Sequence, residues 1–292
     1  MKKQLTFLSL SAILLGGCRT SEIPDSELPD FVDKIVLNAS IDNQNPIEVE
    51  VSNSVWAYES GFPEIISDVE LILTSGDQDI PLTYNSSTKT FQSAVIPKVG
   101  QQFTLIAARE NYRTASAYCQ IPTKVQGKSA GYIENGGIDM DGNKADLVFL
   151  KFTDAPGLNY YIAHFYYYSS SADLFIPFEF ELTDETLRSP NTVKLNDGGY
   201  LFDDRLFNGS TKEFKVVPPS GITAGNPDIK YLVELRSITE DYYKYQTTLQ
   251  QYRDNQDQQS NGPFGSAVIV HSNVAGGLGV FLSSTLESDT IR

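Results

Sequence analysis

The chain has 292 residues, with 37 acidic against 22 basic side chains and a formal net charge of −15. A chain this acidic repels nucleic acid and anionic head groups, and no cluster of Lys and Arg opposes that repulsion, so nucleic-acid binding is excluded. Two cysteines are too few for a disulfide framework, so the fold must depend on a hydrophobic core, to which 16 Tyr and 16 Phe can contribute.

The start of the chain has the features of a bacterial lipoprotein signal. Two lysines precede an apolar run from Leu5 to Leu15, which is shorter than the roughly 20 residues needed to span a bilayer. The run ends in LLGGC, which resembles the lipobox of bacterial lipoproteins: an aliphatic residue, two small residues and a cysteine that receives the lipid. We predict a signal peptide over residues 1–17 and a lipidated Cys18 that anchors the mature chain to the outer membrane. A secreted protein with a chance cysteine is the alternative.

The next segment, residues 18–31, is polar, contains proline and lacks apolar periodicity, which is typical of a flexible tether. Its scattered acids resemble the signal that sends Bacteroidetes-type lipoproteins to the outer face of the outer membrane; they are Glu22, Asp25, Glu27 and Asp30. We expect the extracellular face, with a plain solvated linker and the periplasmic face as alternatives.

Residues 32–123 predict an N-terminal immunoglobulin-like β-sandwich. Short segments rich in Val, Ile, Thr or aromatic residues are separated by turn-forming residues. These segments are 34–41, 47–54, 69–75, 80–85, 90–96, 102–110 and 113–121. About seven strands at such spacing are typical of this sandwich. Cys119 alternates with small and apolar residues, which favours a buried thiol over a nucleophile.

Residues 128–292 predict a second β-rich, sandwich-like domain with one amphipathic helix. The candidate strands are 145–153, 159–169, 174–182, 199–204, 212–218 and 230–238. A capping-box pattern at 237–240 precedes apolar residues at helical spacing, which predicts a helix over about 239–253. Its face, Tyr242, Tyr245, Leu249 and Tyr252, is expected to pack on the neighbouring sheet, with docking of a partner as the alternative.

No catalytic motif is present in the sequence. The two histidines, His164 and His271, are far apart and lie in or beside apolar strands, which favours satisfied strand residues over ligands. No HExxH, GxSxG, CxxC or phosphate-loop pattern occurs. We therefore predict no catalytic residues, no cofactor and no enzymatic activity.

The aromatic run that begins at Tyr160 is the candidate ligand-binding surface. On a strand, Tyr160, Tyr166 and Tyr168 share one face, while other aromatic residues share the opposite face. An exposed tyrosine face suits a sugar ring or an apolar ligand. A strand that is covered on both faces is the alternative.

A weak calcium candidate lies in GGIDMDGNKAD, where Asp139, Asp141, Asn143 and Asp146 supply alternating oxygens. The pattern departs from the EF-hand loop because Lys144 stands where that loop requires glycine. An Asp-Gly-Asn turn between strands explains the composition equally well. We therefore predict no metal site.

Several segments together resemble a known family. They are the lipobox, KIVLNASIDNQNPIEVEVSNS, VELILT, LRSITEDYYKYQTTLQ and SNVAGGLGVF. They resemble a family of Bacteroidetes outer-membrane lipoproteins of unknown function, over most of the mature chain. The closing motif is the most specific part, with Pro263, Asn273, Gly276, Gly277, Leu278, Gly279 and Phe281 matching it. The resemblance implies structural roles for these residues and association with TonB-dependent receptors.

The expected function follows from the anchor and the resemblance. We expect a lipid-anchored, surface-exposed, non-enzymatic accessory or ligand-binding protein of an outer-membrane nutrient uptake system. Its expected partners are the outer membrane, a TonB-dependent receptor and an unidentified small ligand or glycan. A structural or adhesive envelope lipoprotein and a glycan or peptide hydrolase are the alternatives.

Overall fold

The computed structural model of the protein describes residues 31–56, 61–178, 192–220, 222, 229–259 and 268–291. The predicted signal peptide, Cys18 and Pro263 lie outside the described residues. Residues Asp33–Arg292 group into one compact unit.

The described residues form seventeen strands and one helix. The strands are β1 Ile35–Asp42, β2 Ile47–Asn53, β3 Glu70–Ser75, β4 Gln78–Ile80, β5 Thr83–Asn85, β6 Thr90–Ser93, β7 Gln102–Ala108, β8 Ala115–Gln120, β9 Gln126–Ile138, β10 Lys144–Thr153, β11 Tyr160–Ser169, β12 Leu174–Pro177, β13 Val193–Lys194, β14 Tyr200–Asp203, β15 Thr211–Val216, β16 Tyr231–Ile238 and β17 Leu278–Ile291. The helix, α1, spans Glu240–Gln259 between β16 and β17.

These strands form three sheets. A ten-stranded sheet has the order β13-β14-β11-β16-β17-β1-β2-β6-β5, with β12 paired to β11. A four-stranded sheet has the order β4-β3-β7-β8, and a three-stranded sheet has the order β15-β10-β9. The large sheet therefore contains strands from both halves of the chain.

Strand β17 joins the two halves of the large sheet. Its first part, Leu278–Ser284, pairs in parallel with β1. Its second part, Ser284–Ile291, pairs antiparallel with β16. Strand β17 therefore lies between β1, from the first half of the chain, and β16, from the second half, and it pairs with both.

The first core lies between the four-stranded sheet and the β1, β2 and β6 portion of the large sheet. Alternation places Ile35, Leu37, Ala39 and Ile41 of β1 in this core. Phe281 of β17 is fully buried in the same core. Burial of each large apolar side chain contributes about 1.5–3 kcal/mol to folding.

The second core lies between the three-stranded sheet and the β11, β14 and β16 portion of the large sheet, and it is rich in aromatic residues. Phe152 of β10 stacks on Phe214 with ring centroids 5.9 Å apart and contacts Tyr161 at 5.1 Å. Phe202 packs 5.2 Å from Phe214. These contacts explain much of the aromatic content noted in the sequence.

A third, smaller cluster lies on the opposite face of the large sheet and is covered by α1. It contains Tyr160, Ile162, Leu201 and Ile238, with Tyr243 of the helix packed against it. Consequently β11 is covered on both faces at its N-terminal end.

The predicted fold class is confirmed, because the described chain is mainly β, with several sheets and one helix. The segment predicted as one strand at 80–85 divides at Pro81 into β4 and β5. Proline has no N–H to donate to a sheet. The boundary between the two predicted domains, at residues 123–128, stays a prediction.

Candidate functional site

A cleft of about 540 Å³ lies between the outer face of the large sheet and α1. We call it the sheet–helix cleft. Its floor is formed by β1, β11 and β16, its side by the turn between β13 and β14, and its roof by α1. The lining residues are Ser40, Asp42, Ile162, His164, Tyr166, Leu195, Asn196, Asp197, Glu234, Arg236, Tyr242, Tyr245, Gln246, Leu249, Gln250 and Arg253.

The floor carries polar side chains that are paired with one another. The hydroxyl of Tyr166 donates to Oε2 of Glu234 at 3.3 Å. Nη1 of Arg236 lies 3.6 Å from Oδ2 of Asp42 and donates to the hydroxyl of Ser284 at 3.3 Å. Burial and the adjacent Glu234 carboxylate raise the pKa of Tyr166 above its ordinary value, so its phenol stays protonated and can donate.

Asp42 is held as a carboxylate by the turn that follows β1. Burial would raise its pKa, but hydrogen bonds from Gln44 and Asn45 and the charge of Arg236 lower it overall. The backbone N–H groups of Gln44 and Asn45 lie 2.8 and 2.9 Å from its Oδ1. Asp42 therefore faces the cleft with a negative charge that partly neutralises Arg236.

His164 is buried in the wall of the cleft. It is 6% exposed, its Nε2 lies 3.0 Å from Oδ1 of Asp197, and its ring stacks on Tyr166 at 5.8 Å. The hydrogen bond from His164, its charge and the N–H of Gly199 lower the pKa of Asp197, although burial opposes them. Gly199 lies so close to the ring that a β-carbon there would overlap it. Among the residues that the structure describes, Nδ1 of His164 is buried without a hydrogen-bond partner.

The roof helix is fastened at its N-terminal half. Nε2 of His271 lies 2.8 Å from Oδ1 of Asp241, and the backbone N–H of His271 donates to Oγ1 of Thr248 at 2.9 Å. The rings of Tyr160 and Tyr243 lie 4.6 Å apart. These contacts fix the helix over the sheet and leave its inner face, including Tyr245 and Arg253, along the cleft.

The helix begins differently from the capping-box prediction. Ser237 is still part of β16, where it is paired with Tyr161, and it is buried. The hydroxyl that accepts from the first turn is that of Thr239, which lies 3.4 Å from the N–H of Tyr242. Strand pairing of Ser237 thus overrides the local capping pattern, and Thr239 is the N-cap residue.

The three tyrosines predicted to bind ligand lie in different environments. Tyr160 is covered by Tyr243 of the helix. Tyr166 lines the cleft. Tyr168 lies farther along β11, where its hydroxyl donates to Asp173 and its ring packs against Phe175. The structure therefore brings only Tyr166 of the three to the cleft.

The polar floor of the cleft is absent from the functional residues predicted from the sequence. Glu234 and Arg236 alternate with the buried residues Val233 and Leu235 along β16. This alternation is a signal for a polar outer face on a strand. The sequence predicts His164 as a strand residue, and its contact with Asp197 depends on a turn that the sequence pattern does not position.

The closing motif fastens β17 to its neighbours. The side-chain amide of Asn273 accepts from the N–H of Phe281 at 2.8 Å and donates to its carbonyl at 2.9 Å, as a neighbouring strand would. Gly276 and Gly277 lie directly against the backbone oxygens of Thr114 and Ile35.

Two other motif residues complete this description. Leu278 is 40% exposed at the start of β17. Gly279 lies opposite Leu37 in the parallel pairing with β1.

The weak calcium candidate forms a turn between β9 and β10. Oδ1 of Asp139 accepts from the N–H groups of Asp141 and Asn143 at 3.0 and 2.8 Å. Asp146 is buried and accepts from the hydroxyl of Tyr231 at 3.0 Å. Within the described residues, no three His, Cys, Asp or Glu side chains are grouped to hold a metal ion.

A buried pair of carboxylates lies away from the cleft, below the N-terminal end of β11. Asp154 accepts from the hydroxyl of Tyr161 and from the N–H of Gly209. Asp204 accepts from both nitrogens of Asn159 at 2.9 Å. Burial and the neighbouring Asp154 raise the pKa of Asp204, although the hydrogen bonds from Asn159 oppose that rise.

The sheet–helix cleft can hold a polar ligand by hydrogen bonds. Carboxylates and a guanidinium group are presented from the rigid sheet, while phenols and amides are presented from the helix.

The described part of the chain has one helix, α1, and this helix is not long and apolar enough to cross a membrane.

Comparison with known proteins identifies the family. A family model described as a domain of unknown function, DUF4249, matches residues 21–290. No curated protein matches the chain. The family match takes in both cores, the roof helix and all but the last residue of strand β17, so this chain belongs to the DUF4249 family.

Proposed function

We propose that this protein is a lipid-anchored, non-enzymatic ligand-binding accessory of an outer-membrane nutrient uptake system. The observation that carries the proposal is the sheet–helix cleft. Its volume of about 540 Å³ falls within the roughly 300–1,000 Å³ range of small-molecule sites. Rigid strands form its floor, and such elements hold binding groups more precisely than loops do.

The expected location of the protein supports a role in capture. The lipobox-like LLGGC would attach Cys18 to the membrane, and the polar residues that follow would give the folded part reach. A ligand site held beside a transporter works at high effective concentration, so a weak affinity is sufficient. The resemblance to lipoproteins associated with TonB-dependent receptors supports such a receptor as the partner.

The pairing of the charged groups in the cleft favours binding over catalysis. Asp42 is paired with Arg236, Asp197 with His164, and Glu234 with Tyr166. Groups that are fixed in this way orient a ligand, whereas a general acid or base needs a proton-transfer position open to the substrate.

The test is a gentle detergent extraction of the tagged, intact lipoprotein from native outer membranes, followed by mass spectrometry of the proteins that accompany it. A TonB-dependent receptor in stoichiometric amount is the expected result. An untagged strain is the control for non-specific recovery. A clean lipoprotein, in a detergent that preserves other receptor complexes, would contradict the uptake role and favour an adhesive one.

A further inference from the structure

The charged groups that line the sheet–helix cleft are nearly balanced. The cleft is lined by three carboxylates, Asp42, Asp197 and Glu234, and by two guanidinium groups, Arg236 and Arg253, together with His164. Two of the three carboxylates already lie within 3.6 Å of a nitrogen of Arg236 or His164. The remaining carboxylate, Glu234, and the remaining guanidinium, Arg253, have opposite charges, so the cleft as a whole offers a ligand almost no net charge. The balance favours a neutral ligand.

The same residues offer both hydrogen-bond donors and acceptors over a short distance. Glu234 and Arg236 are two positions apart on β16 and therefore point to the same face, with their α-carbons about 6–7 Å apart. The carboxylate accepts only, and the guanidinium donates only. Adjacent hydroxyl groups can each donate and accept, so a polyhydroxylated ligand satisfies both side chains at once. An apolar ligand would displace water from the remaining hydrogen-bonding positions of these side chains without replacing its hydrogen bonds, which disfavours such a ligand.

Aromatic rings complete the cleft. Tyr245 lines the roof and Tyr166 lines the floor. Among the described residues, the hydroxyl of Tyr245 makes no hydrogen bond and Arg253 makes no ion pair. A tyrosine presents an apolar ring and a polar tip, which suits the C–H face and the hydroxyls of a sugar ring.

From these three features we infer that the sheet–helix cleft binds a neutral saccharide. Glu234 and Arg236 hydrogen-bond its hydroxyl groups, and Tyr245 packs against its ring. The inference rests on the proposed ligand-binding function and specifies its ligand class.

The inference is tested by isothermal titration of the intact lipoprotein in detergent micelles. The probes are neutral mono- and disaccharides, a uronic acid and a zwitterionic dipeptide. We expect binding of at least one neutral saccharide and no binding of the other two probes. Preference for the dipeptide or the uronic acid would overturn the inference, as would failure of every neutral saccharide to bind.

Two variants place the binding in the cleft. Glu234→Gln and Tyr245→Ala are each expected to weaken saccharide binding at least tenfold, with unchanged circular dichroism. Glu213→Gln is the control, because Glu213 pairs with Lys215 on β15, outside the cleft lining. If all three variants bind the saccharide with equal affinity, the saccharide does not bind in the sheet–helix cleft.

The two proposals fail separately. If a receptor co-purifies with the lipoprotein but no neutral saccharide binds, only the ligand class is overturned. If a saccharide binds but no receptor co-purifies, only the uptake role is overturned.

Discussion

The carbonyl oxygen of Leu37 lies directly against the α-carbon of Gly279, so closely that no β-carbon fits between them. Leu37 and Gly279 are partners in the parallel pairing of β1 with β17. Gly279 has a φ of +95°, which a residue with a side chain rarely adopts. The glycine therefore permits the approach of two strands that come from opposite ends of the described chain.

Gly279→Ala is expected to destabilise the protein severely, because the added methyl group separates β17 from β1. The matched control is Gly142→Ala. Gly142 has a φ of +84°, and apart from its chain neighbours no atom of the described residues lies within 4 Å of a β-carbon placed there. The control should lose only about 1–2 kcal/mol for the unfavourable backbone. Urea unfolding measures both variants, and equal losses would contradict the role given to the close contact.

Cys119 is expected to be unreactive in the folded protein. Burial raises the pKa of its thiol to about 12, although a hydrogen bond with Ser283 opposes the rise. Alkylation requires the thiolate and access to it. With Cys18→Ala as the background, iodoacetamide at pH 8 should label the native chain slowly and the urea-unfolded chain fully. Rapid labelling of the native chain, measured by mass spectrometry, would disagree with this buried environment.

Ionisation of Asp204 is expected to lower the free energy of unfolding of the protein as pH rises. Because burial and Asp154 raise its folded-state pKa, the folded chain binds a proton more tightly than the unfolded chain. Its stabilising effect is full below the unfolded pKa and is lost as pH rises through the folded pKa. Asp204→Asn keeps an oxygen that can accept from Asn159 and removes the charge. The variant should therefore gain melting temperature relative to the wild type between pH 4 and pH 8, and a constant difference across this range would count against the raised pKa.

Phe152 is expected to be essential for the second core. It is fully buried and contacts Tyr161, Phe207 and Phe214. Phe152→Ala should lower the free energy of unfolding by about 3–5 kcal/mol, because the cavity cannot be refilled. The control Phe62→Ala removes a side chain that is 98% exposed and should change stability by less than about 0.5 kcal/mol. Urea titration followed by tyrosine fluorescence compares them.

Local patterns were sufficient to predict the fold class and most strands, because alternation along β1, β7 or β16 reports directly which face is buried. They did not predict β9 or β17. Strand β9 contains four glycines and is largely exposed, so it lacks apolar alternation. Strand β17 begins in a glycine-rich motif that contacts the backbone of β1. The sequence does not show that these glycines lie in a strand, because it does not show which strand they contact.

The cleft was less predictable than the fold. Its floor combines β1, β11 and β16, and only the placement of β17 between β16 and β1 brings them into one sheet. Alternation along β11 predicts which face of the sheet carries the Tyr166 side chain. Its proximity to Glu234 depends on the order of the strands in the sheet, which alternation does not predict. Residues from distant segments form a site only through long-range pairing, which single-strand patterns do not encode.

The pairing of β1 with β17 also has a consequence for how the chain is made. Asn43, just after β1, bonds to Leu286 of β17, which lies 243 residues later. During synthesis β1 emerges long before this partner and must wait with one edge unpaired, a state prone to pairing with the wrong chain. Contacts between such distant residues also make folding slow. A premature stop before β17 would leave the two cores incomplete at the same time, so neither half is expected to survive proteolysis as a separate fragment.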